Sequence, residues 1–244
     1  MFIKLMKEIS KIKELDFDKI TNKLEKIISK TKIDNFLDII HNIGIIPESI
    51  GYDTKEEKIF SKLSDIVLSK AFRYIGFNSY VLKERGNSAD VYAKSKKHKY
   101  SLVIDAKSFR MSRTAKNQKD FKISALSKWR GNEDYSVLCS PYFQYPINRS
   151  QIYSQSLEHN VCLLSWEHLI FLIENKIKEN ENINLKNIWN FGDLYSDRIS
   201  FKDRKNNFFD DFNVEFLKTI NIDNNEIFYE SLNKQIDFIR KRGG

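Results

Sequence analysis

Between Tyr80 and Lys107 the apolar residues of this chain change their period. Upstream of Gly76 they recur every three or four positions, as on amphipathic helices; from Tyr80 they fall into short runs of strand length. Tyr80-Val81-Leu82 reads as a short strand, residues 90–93 as a second, and residues 100–107 as a third around the run Leu102-Val103-Ile104. Lys96-Lys97-His98-Lys99 is the turn between the last two. A helix is then expected over 117–129, closed by Gly131-Asn132, followed by a buried strand at 135–140, a helix at 149–158, a strand at 161–165 and a helix at 166–178. Hairpin strands followed by strand–helix alternation imply a mixed sheet between helical layers.

The flanks are helical. Leu5, Ile9, Ile12 and Leu15 form one stripe, and Ile20, Leu24, Ile27 and Ile28 another. Residues 33–43 continue with Ile33, Phe36, Leu37 and Ile40 inward, and Gly44, Pro47 and Gly51 mark the turn that follows. Thr54-Lys55-Glu56-Glu57 has the form of a capping box. The helix it opens buries Phe60, Leu63, Val67, Ala71 and Phe72, and leaves Glu57 and Asp65 able to face a site. Beyond residue 181 helical pieces recur around 183–189, 208–220 and 224–240. The 18 Phe and 11 Tyr among 244 residues are enough to fill one large core. The expectation is one α/β domain of the α+β type over 1–244: a helical N-terminal region (1–50), an α/β core (51–180) and a helical C-terminal region (181–244).

The charge balance is basic, 41 Lys and Arg against 33 Asp and Glu, which suits a polyanionic partner. Cys139 and Cys162 lie in apolar runs and read as buried free thiols of a reducing compartment. No apolar run approaches the roughly 20 residues needed to span a bilayer. The N-terminus leads into a charged amphipathic stretch rather than a signal peptide, so a soluble cytoplasmic protein with no membrane partner is expected. His41, His98, His159 and His168 are scattered, with no partner carboxylate or serine motif nearby in sequence, and read as surface or core residues.

The chemistry concentrates in the hairpin. With the turn centred between Lys97 and His98, paired positions place Asp90 directly across from Asp105, and strand alternation puts Lys107 on the same face as Asp105. Two carboxylates facing each other repel, and a fold tolerates the pair when a hard divalent cation lies between them. A lysine two residues on is placed to orient an attacking water and to offset developing negative charge. That set meets the needs of phosphodiester hydrolysis. The alternative is a solvated hairpin end: Lys97-His98 is not a favoured two-residue turn, and a three-residue loop would turn one strand over and break the set.

From Lys107 onward the chain is strongly basic. Lys107, Arg110, Arg113, Lys116, Lys119 and Lys122 are opposed only by Asp120, with Ser108, Ser112, Thr114, Asn117 and Gln118 between them. Basic and small polar side chains together suit phosphate contacts and base-edge readout; Asn117 fits an adenine edge and Asp120 a base amino group. A solvated helix face is the alternative.

Several stretches resemble the HindIII-type type II restriction endonucleases of the PD-(D/E)xK nuclease superfamily. They are Arg85-Gly86-Asn87-Ser88-Ala89-Asp90-Val91, Asp105-Ala106-Lys107-Ser108-Phe109-Arg110, and Ser112-Arg113-Thr114-Ala115-Lys116-Asn117-Gln118-Lys119-Asp120-Phe121-Lys122. Ile43-Gly44-Ile45-Ile46-Pro47-Glu48, Phe143-Gln144-Tyr145-Pro146, Ser165-Trp166-Glu167-His168-Leu169 and Trp189-Asn190-Phe191 extend the likeness over most of residues 40–220. The resemblance implies a PD-(D/E)xK core with helical extensions at both ends, a homodimer, and Mg²⁺-dependent cleavage of double-stranded DNA at a short palindrome. It implies Asp90 and Asp105 as metal-binding acids, the Ala106 carbonyl as a further ligand, and Lys107 as the catalytic lysine. Glu84, ahead of the Arg-Gly-Asn motif, is a further catalytic candidate. Ala115, Asn117 and Asp120 match the base-reading region, and Arg110, Arg113, Lys116, Lys119 and Lys122 complete the expected DNA-binding set. The implied target is AAGCTT, and a restriction enzyme implies a cognate DNA methyltransferase. A resolvase or repair nuclease on the same core, and a DNA-binding protein without catalysis, are the alternative readings.

Overall fold

The computed structural model describes residues 1–82, 88–112 and 118–242. The N-terminal region folds as α1 (Phe2–Ile12), α2 (Phe17–Lys30) and α3 (Ile33–Ile43), and a long α4 (Lys55–Tyr74) leads into the sheet. The two apolar stripes of the first thirty residues belong to separate helices, because Asp16 caps α2 by accepting from the Asp18 amide. The buried ammonium of Lys70 on α4 donates to the carbonyls of Ile28 and Thr31, closing the C-terminal end of α2.

Among the described residues the sheet has five strands in the order β1 (Phe77–Val81), β2 (Val91–Ser95), β3 (Ser101–Ala106), β4 (Tyr135–Ser140), β5 (Val161–Ser165). The first three pair antiparallel, and β3, β4 and β5 pair parallel. Strands β4 and β5 are buried at every position, as parallel strands covered on both faces must be. Helix α4 contacts β1, β2 and β3 and meets α8 (Trp166–Glu174), while α6 (Ile123–Trp129) and α7 (Gln151–Glu158) occupy the crossovers β3–β4 and β4–β5. Right-handed crossovers put α6 and α7 on one face, leaving α4 and α8 to cover the other. This is the mixed sheet between helical layers that the sequence pattern implied.

The hairpin register is the one expected. Val91 pairs with Ile104 and Lys94 with Ser101, and the Asp90 amide donates to the Ile104 carbonyl at 3.1 Å. The connection is a four-residue loop, closed by the Ser95 amide on the Tyr100 carbonyl. Ser95 Oγ accepts from the amides of Lys97 and His98 at 3.2 and 2.7 Å, and donates to buried Glu179. A serine hydroxyl thus does locally what a favoured turn dipeptide would have done.

The helix expected over 117–129 is broken. It forms as α5 (Gln118–Phe121) and α6, hinged at Lys122 in the left-handed region with φ +50°. Phe121 and Ile123 are both buried, and residues two apart on one straight helix point to different faces, so the chain turns between them.

The C-terminal helices α9 (Lys186–Trp189), α10 (Phe191–Leu194), α11 (Lys205–Thr219) and α12 (Asn225–Arg242) gather around an aromatic core. His168 is fully buried there, against the rings of Phe209, Phe212, Phe216 and Phe228. Its ring nitrogens meet Ser165 Oγ at 2.7 Å and Asn213 Oδ1 at 2.9 Å. His41 finds its carboxylate partner not on its own helix but in Glu174 of α8, at 2.8 Å. Cys139 and Cys162 are buried free thiols. No helix among the described residues is long and apolar enough to cross a membrane.

Burial pushes the His168 imidazole down to about 4 from 6.5. The unfolded chain therefore takes up this proton first as pH falls, and stability is lost through the window from 6.5 toward 4. Urea unfolding at pH 7 and pH 5 should show that the wild type loses about 2 kcal/mol more than His168→Gln over that interval. Equal losses in the two proteins would remove His168 as the group responsible.

Candidate active site

The site is assembled at the end of the hairpin remote from its turn. Asp90 lies just before β2, Asp105 is the penultimate residue of β3, and Lys107 follows one residue after the strand ends. The sheet register brings the three together, as the sequence implied. The two carboxyls are close enough to share a hydrogen bond. Asp90 Oδ2 also accepts from the Ala106 amide at 3.4 Å. The Lys107 ammonium forms an ion pair with Asp105 Oδ2, a buried oxygen.

A third carboxyl joins from α4. Asp65 lies in the stretch of α4 from Leu63 to Phe72 that is buried at every position, is itself only 5% exposed, and pairs with Lys62 at 3.4 Å. Burial pushes Asp65 up to about 7, and the charge on Asp105 adds to the rise while Lys62 opposes it. Burial likewise pushes Asp90 up to about 9, reinforced by the charges of Asp65 and Asp105 and by the hydrogen bond with Asp105. Both shifts follow first from burial and then from the other acids, with Lys62 and Lys107 opposing them in part. The other polar residue left open on α4, Glu57, goes elsewhere: its Oε1 pairs with Arg110 at 2.8 Å.

No group of three or more His, Cys, Asp or Glu side chains spaced to hold a metal occurs among the described residues. The expected donor set does not need one, because it comprises two carboxylates and the peptide carbonyl of Ala106. All of these donors are oxygens, which select a hard divalent cation over a soft one. Asp105, paired with Lys107 and raising both Asp65 and Asp90 by its charge, stands among these acids in keeping with that chemistry.

The stretch after Lys107 is fastened on both sides. The Phe109 amide donates to Gly44 and its carbonyl accepts from Ile46, continuing β3 as a single parallel bridge to Ile45. Trp166 Nε1 donates to the Lys107 carbonyl at 3.0 Å, and Ser108 Oγ meets both the Ile43 carbonyl and Ser64 Oγ. Residue 44 must be glycine here, since a Cβ would come within 2.9 Å of both Pro141 and Trp166. The glycine that reads from sequence as a helix stop is thus also required for close approach.

The expected DNA-binding residues divide. Lys119 and Lys122 are exposed, and the Lys122 ammonium lies over the Trp129 ring at 5.8 Å. Asp120 is partly buried on α5. Arg113, Ala115, Lys116 and Asn117, and the catalytic candidate Glu84, lie outside the described residues. Arg110 is a correction. Its side chain is 3% exposed and donates to the carbonyls of Pro47, Ile50 and Gly51 and to Glu57, so it faces the protein interior and not a DNA surface. The fork of a guanidinium suits a crowded set of carbonyls as well as it suits phosphate, and only the fold distinguishes the two.

A five-stranded mixed sheet flanked by helical layers, with an acid across from an Asp-Ala-Lys strand end, is the arrangement of an α/β restriction endonuclease. Comparison of the whole chain narrows the class. Residues 2–232 match the HindIII restriction endonuclease family, and the chain is 46% identical over 239 residues to the type II restriction enzyme HindIII of Haemophilus influenzae, spanning 98% of this chain and 79% of that protein. The chain therefore belongs to the HindIII restriction endonuclease family. It is a type II site-specific deoxyribonuclease acting on double-stranded DNA, and enzymes of this kind use divalent metal ions.

If the acidic group is built around a cation, the cation-free protein must keep Asp90 protonated inside, a cost that an amide in its place does not carry. In chelator, Asp90→Asn should melt above the wild type, by an amount reflecting about 1 kcal/mol. Added divalent metal should raise the wild-type Tm and move the variant far less. Equal metal-induced shifts would place the ion elsewhere.

Proposed function

We propose that this enzyme cuts both strands of DNA at AAGCTT, with Mg²⁺ held by Asp90, Asp105 and the Ala106 carbonyl and with Lys107 at the scissile phosphate. The observation that carries the reading is the convergence of Asp90, Asp105 and Lys107 on one end of the β2–β3 hairpin. A divalent cation bound there supplies Lewis acidity toward the phosphoryl oxygen and acidifies water. Asp90 and Asp105 bind it and orient it toward the DNA. Lys107 turns its ammonium from Asp105 toward the attacking water and offsets the charge that grows on the phosphate. Asp65, whose charge reaches both Asp90 and Asp105, adds negative potential that favours a cation.

Base reading falls to Ala115, Asn117 and Asp120, with Asn117 suited to an adenine edge and Asp120 accepting from a base amino group. Arg113, Lys116, Lys119 and Lys122 supply sequence-independent phosphate contacts, and Glu84 is an additional acid for the catalytic end. The assignment of AAGCTT rests on the match of residues 112–122 to the base-reading region of the family. A palindrome requires a two-fold arrangement in which each subunit cuts one strand, so the working unit is a homodimer. Host DNA then needs protection by a cognate methyltransferase of the same target.

A plasmid of known sequence incubated with the enzyme should give discrete fragments in Mg²⁺ and none in chelator, with every mapped end at AAGCTT. Ends at a different palindrome would refute the target assignment. Lys107→Ala should lose cleavage by more than about a hundredfold while retaining specific binding, and full activity in that variant would remove Lys107 from the chemistry.

A further inference from the structure

The segment that follows Lys107 is anchored to a part of the chain for which the catalytic reading has no use. Residues 44–52, between α3 and α4, run alongside it. Arg110 reaches back into them with four bonds, to the carbonyls of Pro47, Ile50 and Gly51 and to Glu57 at the start of α4. The Tyr52 ring lies 4.1 Å from its guanidinium carbon. Its own carbonyl accepts from Gln144 Nε2. Two residues on, the exposed carboxylate of Glu48 takes both the amide and the hydroxyl of Ser112, each at 3.0 Å. These two bonds hold the Glu48 carboxyl below its usual range.

The other end of the segment is anchored as well. Phe121 is fully buried, 5.7 Å from Phe109 and stacked 5.6 Å from Tyr145. Tyr145 is in turn fixed by its hydroxyl to the carbonyls of Leu138 and Leu164 in β4 and β5. Residues 110–112 and Phe121, on either side of the stretch 113–117, are therefore both fixed on this aromatic base, and Arg110 and Glu48 hold the chain up to Ser112. Ser112 immediately precedes the stretch assigned to base reading.

We propose that residues 44–52 are a brace for the base-reading segment, with Arg110 and Glu48 as positioning residues that set the enzyme's sequence discrimination. The inference rests on the reading that Ala115, Asn117 and Asp120 contact the bases. Neither Glu48 nor Arg110 touches a base or the scissile phosphate in this account. Both act through Ser112 and the backbone of residues 110–112. Base contacts tolerate little displacement, since a misplacement of about 1 Å can cost a hundredfold in rate. Loosening the brace therefore weakens cleavage at the cognate site without altering attraction to DNA in general.

The test is the ratio of kcat/KM at the palindrome the wild type cuts to kcat/KM at sites differing by one base. Glu48 is exposed, so Glu48→Ala keeps the fold. Its ratio should fall roughly tenfold or more, while binding to a non-cognate duplex stays within about twofold. Ser112→Ala should give a smaller fall, because the amide bond remains, and Glu48→Ala with Ser112→Ala should be no worse than Glu48→Ala alone. Arg110→Lys, which keeps the charge but not the fork, should lower the ratio further together with Tm. A role confined to stability would depress all substrates in proportion to the folded fraction, and that result overturns the proposal. So does an unchanged ratio in Glu48→Ala. Asn117→Ala separates the two layers: loss of discrimination there but not in Glu48→Ala sinks the brace alone. No loss in either sinks the base-reading assignment together with it.

Discussion

Two carboxyls face each other across the end of one hairpin, and burial makes that arrangement costly. Asp90 and Asp105 meet because β2 and β3 pair in a single register, which a shift of one residue would destroy by turning every side chain to the other face. A third acid, Asp65, presses on the pair from α4 and raises the tendency of Asp90 to hold its proton. Lys107 opposes this at Asp90, and Lys62 and Lys107 oppose the corresponding rise at Asp65. An arrangement with so much like charge is stable when protons or a cation intervene. The same arrangement is what makes this end of the sheet the proposed place for phosphodiester chemistry.

The register is protected at the far end of the hairpin by groups with no part in catalysis. Ser95 organises the four-residue turn, and Glu179 accepts from Ser95, from the Tyr100 hydroxyl and from the Leu185 amide. Trp189 adds its indole N–H to the Tyr100 oxygen. The C-terminal helices therefore hold the pairing that sets the distance between the two acids. They are linked to function through the strand register and not through contact with the site.

On the other side of Lys107 the chain is stitched to residues 43–51 and to Trp166, and these are the segments through which the sequence resembles its family. Ile43-Gly44-Ile45-Ile46-Pro47-Glu48, Phe143-Gln144-Tyr145-Pro146 and the Trp166 stretch all converge on residues 107–121. Their common task is mechanical. They fix the chain that continues β3, from Lys107 to Ser112, and the point at Phe121 where α5 rejoins the core.

Much of this was legible in the sequence because it depends on local periodicity. Alternation along a strand places Asp105 and Lys107 on one face wherever the strand forms, and a turn centred between Lys97 and His98 puts Asp90 opposite Asp105. The mixed sheet follows from the order of short apolar runs and helical stripes. Other features were decided by tertiary structure. Arg110 reads as one more cation in a basic run, yet it is buried by four partners that come from a separate stretch of chain. The break at Lys122 exists because Phe121 and Ile123 are both needed in the core. Asp65 is one acid on a helix until α4 is laid against the sheet. In each case the residue's chemistry is compatible with surface or interior, and the choice is made by what packs against it, which no local pattern contains.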